Sequence, residues 1–205
     1  MSSQGTDAAK RPRSRRWWLL LGVVGALIVG WLVYTTVNIL NPSQGDLDAR
    51  SDAVVTLAPQ YHRLPTAQQL IEDGVADTLV ISYFDHDPLN SHLDPSAGAM
   101  PLRDYCEAEV SHAIVCFTPE ENATIGEAYA IAELGSQRSW DSLTVVTDTT
   151  HVFRTRYIVD RCLGDDFQLN VVVADRELSA AELAWHTLYE NAALVKAMWQ
   201  VAGRC

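Results

Sequence analysis

Apolar residues fall along this chain in three rhythms. From Trp17 to Leu40 there is no charged residue, and Trp17–Tyr34 is almost wholly apolar. A run of that length suits a helix crossing a hydrocarbon core, which needs roughly 20 residues. Short β-branched runs then recur at Asp52–Leu57, Thr78–Ser82, His112–Cys116, Ser142–Thr147 and Leu169–Ala174, each the length of a buried strand. Helical spacing fills the gaps between them. Pro65–Asp73 opens on Pro and Thr and stops before Gly74; Thr124–Gln137 sets Ile125, Ala128, Ile131, Ala132 and Leu134 on one face; His151–Cys162 does the same with Val152, Tyr157 and Ile158. A last helix, Ala180–Trp199, follows Ser179, with Glu182 placed to complete a capping box.

Strands alternating with helices predict an α/β fold with a mostly parallel five-stranded sheet covered on both faces, because parallel neighbours need crossover connections. The organisation read from the chain is a basic tail (1–16), a transmembrane helix (17–40), a polar linker (41–51) and an α/β domain (52–205). Phe84–Asp104 breaks the alternation with Pro88, Pro95, Gly98 and Pro101, and reads as a long loop with a short helix near Leu102–Ala108.

Charge sharpens this division. The chain carries a formal −11, yet residues 1–16 hold five of its 15 bases and one of its 26 acids, so ten bases face 25 acids in the remainder. An acidic body repels phosphate backbones, which argues against nucleic acid as a partner. Bases before the span and acids after it predict a single-pass plasma-membrane protein with a cytoplasmic tail and an extracytoplasmic domain. A cleaved signal peptide fits less well, since the apolar run exceeds the usual roughly 7–15 residues and no Ala-x-Ala site follows. Four cysteines beyond the span, Cys106, Cys116, Cys162 and Cys205, allow three disulfide pairings. If Cys162 and Cys205 both end helices running antiparallel to the sheet, they meet at one end of the domain and leave Cys106 with Cys116. None of the spacings resembles a Cys-x-x-Cys metal site.

Loops that follow parallel strands gather at one edge of the sheet, where such folds form ligand crevices. That edge collects Gln60-Tyr-His-Arg63, Tyr83–Asp87, Pro119–Glu127, Thr147–Arg154 and Asp175-Arg-Glu177. Arg63, His151 and Arg154 beside helix N-termini suit a phosphate or another anion. The predicted roles are anion binding for Arg63 and Arg154, with Thr124 and Thr147 as further ligand contacts, and proton transfer or orientation for His151 and Glu127. Each has a plainer reading: Glu127 as a cap with Thr124 as N-cap, His151 as a hydrogen-bonded structural histidine, Arg63 paired with Glu72 or Asp73. Asp85-His-Asp87 with His92 and Asp94 matches no metal-site spacing, and Ser82 lacks a nucleophile elbow. No Gly-x-Gly-x-x-Gly or Walker loop occurs, so neither metal nor cofactor is expected.

On Asp52-Ala-Val-Val, on Arg63 with Ala67, Leu70 and Gly74, on Thr124-x-Gly-Glu127-Ala128 and on Val145-Val-Thr-x-x-x-His151-x-x-Arg154, the domain resembles the YdcF/SanA/ElyC-type family of bacterial envelope proteins, catalogued as a domain of unknown function. Ala58-Pro59 and Asp148-Thr-Thr150 depart from its usual pattern. The resemblance implies a three-layer Rossmann-like sandwich and a role in cell-envelope upkeep, linked to peptidoglycan and lipid-carrier metabolism. The expected ligand is a phosphate-bearing envelope intermediate or lipid carrier, bound and hydrolysed at a phosphoester or pyrophosphate bond. The rival readings are a non-catalytic scaffold associating with envelope-synthesis proteins, and a transferase using a nucleotide-like cofactor.

Overall fold

The computed structural model describes residues 13–84, 102–108, 110–164, 167–174 and 176–205. The β-branched runs form five strands, β1 (Ala53–Thr56), β2 (Thr78–Ser82), β3 (Ala113–Phe117), β4 (Ser142–Asp148) and β5 (Gln168–Ala174). All neighbours are parallel, in the order β3-β2-β1-β4-β5, with Val55 opposite Val80 on one side and Val145 on the other. The helices are α1 (Arg13–Leu40), α2 (Gln60–Glu72), α3 (Leu102–Cys106), α4 (Thr124–Arg138), α5 (Val152–Leu163, entered through a 3-10 turn over Thr149–His151) and α6 (Ala180–Arg204).

Period-two alternation divides the sheet residues between two cores. Val54, Leu79, Ile81, Val146 and Val172 pack against Leu64, Ala67 and Leu70 of α2 and Leu102 of α3. Ala53, Val55, Val80, Leu143 and Val145 pack against α4, α5 and α6 through residues such as Ile125, Ile131, Ile158, Ala197 and Val201. Helices therefore cover both faces, the arrangement that all-parallel strands require. Cys106 is bonded to Cys116 and Cys162 to Cys205, the pairing that antiparallel helices ending at one edge demand.

One expectation about local structure changes. The second helix starts at Gln60 rather than Pro65, so Gln60–Arg63 is a first helical turn, not a loop. Gln60 is fully buried and donates from Nε2 to the carbonyls of Thr56 and Ser82, which fastens the helix start to the sheet. Pro65 is tolerated because it sits on the exposed side of the helix, where its missing N–H costs least. Leu102–Cys106 is helical, whereas Asp85, Asp87, His92 and Asp94 lie outside the described residues.

Among the described residues, one helix, Trp17–Leu40, is long and apolar enough to cross a membrane, with a mean hydropathy of 2.1 and few buried positions. Its last turns are held against the domain. Thr35 and Ile39 are buried, Thr35 and Thr36 share Asn191 of α6, and Tyr34 meets Phe153 edge to face at 6.1 Å.

Candidate functional site

Strand order reverses between β1 and β4, and the loops leaving a parallel sheet diverge at such a switch point. A cavity of about 420 Å³ opens there, at the carboxyl ends of the strands. Arg63, Glu127, His151 and Arg154, the first and last 91 residues apart in sequence, all line it. Thr124 lines it too. Thr147 does not: it is fully buried in β4, and the next residue, Asp148, whose side chain alternates to the other face of the strand, is the one that reaches the cavity.

The Thr124-Ile-Gly-Glu127 block has a steric explanation. A Cβ on Gly126 would lie 2.3 Å from the carbonyl oxygen of Glu121, so only glycine lets the loop before α4 fold back over the helix start. The N-cap is Ala123, not Thr124, and no side chain caps the helix. Uncapped N–H groups and the positive dipole end thus face the cavity at Asn122–Ile125. Glu127 does not cap either. It turns inward and accepts a 2.9 Å hydrogen bond from the Ala58 N–H, at the turn after β1. Burial raises its pKa, opposed by the Ala58 N–H, the Ser82 hydroxyl and the charges of Arg63 and Arg154.

Among the described residues, two arginine–carboxylate pairs stand in the crevice. Arg63 bonds Asp148 Oδ2 at 2.7 Å through Nη2 and the Ala58 carbonyl through Nη1, rather than Glu72 or Asp73, the partners its plainer reading offered. Those two acids lie a helical turn or more further along α2 and are exposed, whereas Asp148 ends the neighbouring strand. Burial would raise the Asp148 pKa, but Arg63 prevails and holds it low. Arg154 grips Glu190 of α6 with two bonds, Nε to Oε2 at 2.7 Å and Nη2 to Oε1 at 3.0 Å. Its Nη1 donates to Thr124 Oγ1 at 3.1 Å.

His151 lies inside this second group. Its Nδ1 is 3.1 Å from Glu190 Oε1, and its Nε2 is 3.2 Å from Thr124 Oγ1. Two hydrogen placements serve the ring. With the proton on Nδ1, the ring donates to Glu190, and Nε2 is free to accept from a hydroxyl. With it on Nε2, the ring donates to Thr124, while Nδ1 accepts from Arg154 Nη2 at 2.8 Å. The first is the pose of a general base, the second that of a hydrogen-bond donor. Burial and the Arg154 charge lower the His151 pKa to about 4 despite Glu190, so the ring is neutral at pH 7. Burial would raise Glu190, yet His151 and Arg154 pull it down to about 2.

Glu190, Asp148, Arg176 and Lys196 also line the cavity, and the roles assigned from sequence omit all four. Asp148 and Arg176 carried a partial signal, since both lie in segments expected at this edge. Glu190 carried none: it is an acid in the middle of a long helix, and only the docking of α6 brings it to His151. Among the described residues, no group of three His, Cys, Asp or Glu side chains could hold a metal ion.

Neither a protein-family model nor a curated protein sequence matches the chain. Among solved structures, it is similar to a chain of the formyltransferase/hydrolase complex (FhcABCD) from Methylorubrum extorquens, solved with methylofuran, at 11% identity and a TM-score of 0.39. The likeness covers 78% of this chain and 48% of that one, so this chain spans about half the length of that neighbour.

Proposed function

We propose that the cavity binds a phosphate-bearing ligand and hydrolyses a phosphoester or pyrophosphate bond in it, as part of cell-envelope metabolism on the extracytoplasmic side of the plasma membrane. One observation carries the reading. Of the ten Lys and Arg residues that follow residue 16, four line this one cavity in a chain of net charge −11. Arg63, Arg154, Arg176 and Lys196 outnumber the three acids Glu127, Asp148 and Glu190, and the uncapped start of α4 adds to them.

The acid–base groups are arranged for such a step. Neutral His151 takes the proton of an attacking water at Nε2 as the new P–O bond forms. Glu127, whose pKa burial raises, is assigned as the proton donor to the departing oxygen as the old P–O bond breaks. Glu190 holds the imidazole and Arg154 in place. The location is supported by four cysteines that are all disulfide-bonded, a state suited to an oxidising compartment, and by the basic tail preceding the span. The ligand class, a phosphate-bearing envelope intermediate such as a lipid carrier, follows from the anchor and from the resemblance to the YdcF/SanA/ElyC-type family.

The test is turnover by the full chain in detergent, on inorganic pyrophosphate and on a polyprenyl pyrophosphate. His151→Gln is expected to lower turnover about 10²–10⁴-fold. Unchanged turnover in both His151→Gln and Arg154→Met removes these roles. Binding of both compounds without turnover in the unaltered chain leaves a non-catalytic binding module, and absent binding ends the proposal.

A further inference from the structure

The structure points to a second membrane-contacting element in this protein: we infer that the outer face of α6 lies on the lipid surface beside the span, with the cavity opening at its edge. The inference rests on α1 crossing the membrane and not on what the cavity holds.

Along α6, Trp185, Leu188, Ala192, Val195 and Trp199 recur at intervals of three and four residues and so form one stripe, about 21 Å long at a 1.5 Å rise. The opposite face, Glu190, Leu194, Ala197 and Val201, is buried against the domain. The stripe is uncovered: Trp185 is 67% exposed, Leu188 68% and Trp199 82%. Large apolar side chains in a row at that exposure are what an acidic, water-facing surface avoids.

What covers the stripe is set by its neighbour. Leu188, Ala192 and Val195 share an apolar groove of about 810 Å³ with Val24, Leu27, Ile28, Trp31 and Leu32 of α1. Those α1 residues lie inside the apolar run Trp17–Leu40. A surface continuous with the flank of a membrane span sits where the span sits, so its occupant is lipid. A tryptophan near each end of the stripe matches the residue type favoured at the interface between hydrocarbon and water. Asn191, the polar residue on this flank, is not left bare, because it bonds Thr35 and Thr36 of α1.

Going round α6 from the stripe, the next positions are Tyr189 and Lys196, which line the cavity together with His186 and Gln200. Lys196 is exposed and can extend its ammonium to headgroup level while its stem covers apolar surface. The cavity mouth thereby adjoins the membrane, and a ligand carried at the headgroups meets it there.

Tryptophan quenching in vesicles of phosphatidylcholine with brominated acyl chains tests this. The full chain carries Trp17→Phe, Trp18→Phe, Trp31→Phe and Trp140→Phe, leaving Trp185 and Trp199. Relative to unbrominated vesicles, about half of the emission is expected to be lost, because an interfacial helix sits only roughly 5–10 Å into the headgroup boundary. A chain keeping Trp140 alone, beside the start of β4, is the control and is expected to be unquenched. Quenching no greater than in that control overturns the inference, and α6-to-α6 crosslinks without quenching assign the stripe to a second copy instead. In a further variant, Leu188→Glu with Val195→Glu, quenching is expected to fall while inorganic pyrophosphate stabilises the chain as before. Undiminished quenching in that variant overturns the inference. Lost pyrophosphate stabilisation in the unaltered chain bears only on the proposed function.

Discussion

Arg154 and Arg63 each meet a carboxylate in the same crevice, yet the two pairs are built differently. Arg154 uses Nε, Nη1 and Nη2, holds both oxygens of Glu190 and also reaches Thr124, while His151 occupies the remaining approach to Glu190. Arg63 touches one oxygen of Asp148, and among the described residues Arg63 Nε, Asp148 Oδ1 and the nearby Thr147 Oγ1 are buried without a hydrogen-bond partner. Charge-assisted pairs are strongest when both partners are saturated, and buried polar atoms left over cost free energy. The Arg154 half is therefore a closed frame that positions His151. The Arg63 half retains polar capacity, and under the proposed function it is the side where re-pairing with the ligand's phosphate costs least.

The largest test of that contrast removes one carboxylate from each half. Glu190→Ala strands Arg154 and His151 and is expected to cost about 3–5 kcal/mol, the usual penalty for breaking a buried pair. Asp148→Ala leaves Arg63 its bond to the Ala58 carbonyl and should cost less, about 1–3 kcal/mol. Thermal melting of the full chain in detergent measures both. Equal costs would mean that saturation does not distinguish the halves.

Acid sharpens the comparison, because the Arg154 half holds the titrating imidazole. His151 has its folded pKa below the ordinary value, 6.5 against about 4, so between those values the unfolded chain binds more protons and stability falls as pH drops. Lowering pH from about 7 to about 5 should cost about 2 kcal/mol, discounted if acid also loosens the surrounding frame. Glu190, lowered from 4.5 to about 2, extends the loss to still lower pH. In His151→Gln the first part of the decline should vanish while the part below pH 4.5 remains. A decline unchanged in that variant would place the acid sensitivity elsewhere.

The smallest effect comes from the frame's rim. Gly126→Ala must displace the Glu121 carbonyl and with it the start of α4, at an expected cost of about 1–2 kcal/mol. Thr124 should shift away from Arg154 and His151 while the Arg63 pair stays intact. Histidine NMR shifts in the full chain report it, and an unmoved His151 resonance would show that the loop yields instead.

Much of the architecture was legible because its signals are local. Strands buried on both faces read as β-branched runs, and the start of α6 carries the cap Ser179 with Glu182, a capping box that forms as written. Gln60 was missed because a buried amide bonded to two carbonyls from separate strands leaves no periodic trace. The site was half legible. Arg63, Glu127, His151 and Arg154 belong to strand-end segments, so parallel topology alone predicts their meeting. Which of them pair, and with what, depends on distances between elements far apart in sequence.

The amino-acid sequence alone determined the alternation of strand and helix, the apolar run before it and the edge where the charged residues gather, since periodicity and chain direction are properties of short segments; of three possible cysteine pairings, the one present was settled by the fold. Only the tertiary structure decided that Glu190 holds His151, that Asp148 rather than a helical acid meets Arg63, and that one flank of α6 continues the flank of α1. Those contacts depend on how separate elements dock, and docking is settled by shape and burial summed over the whole fold.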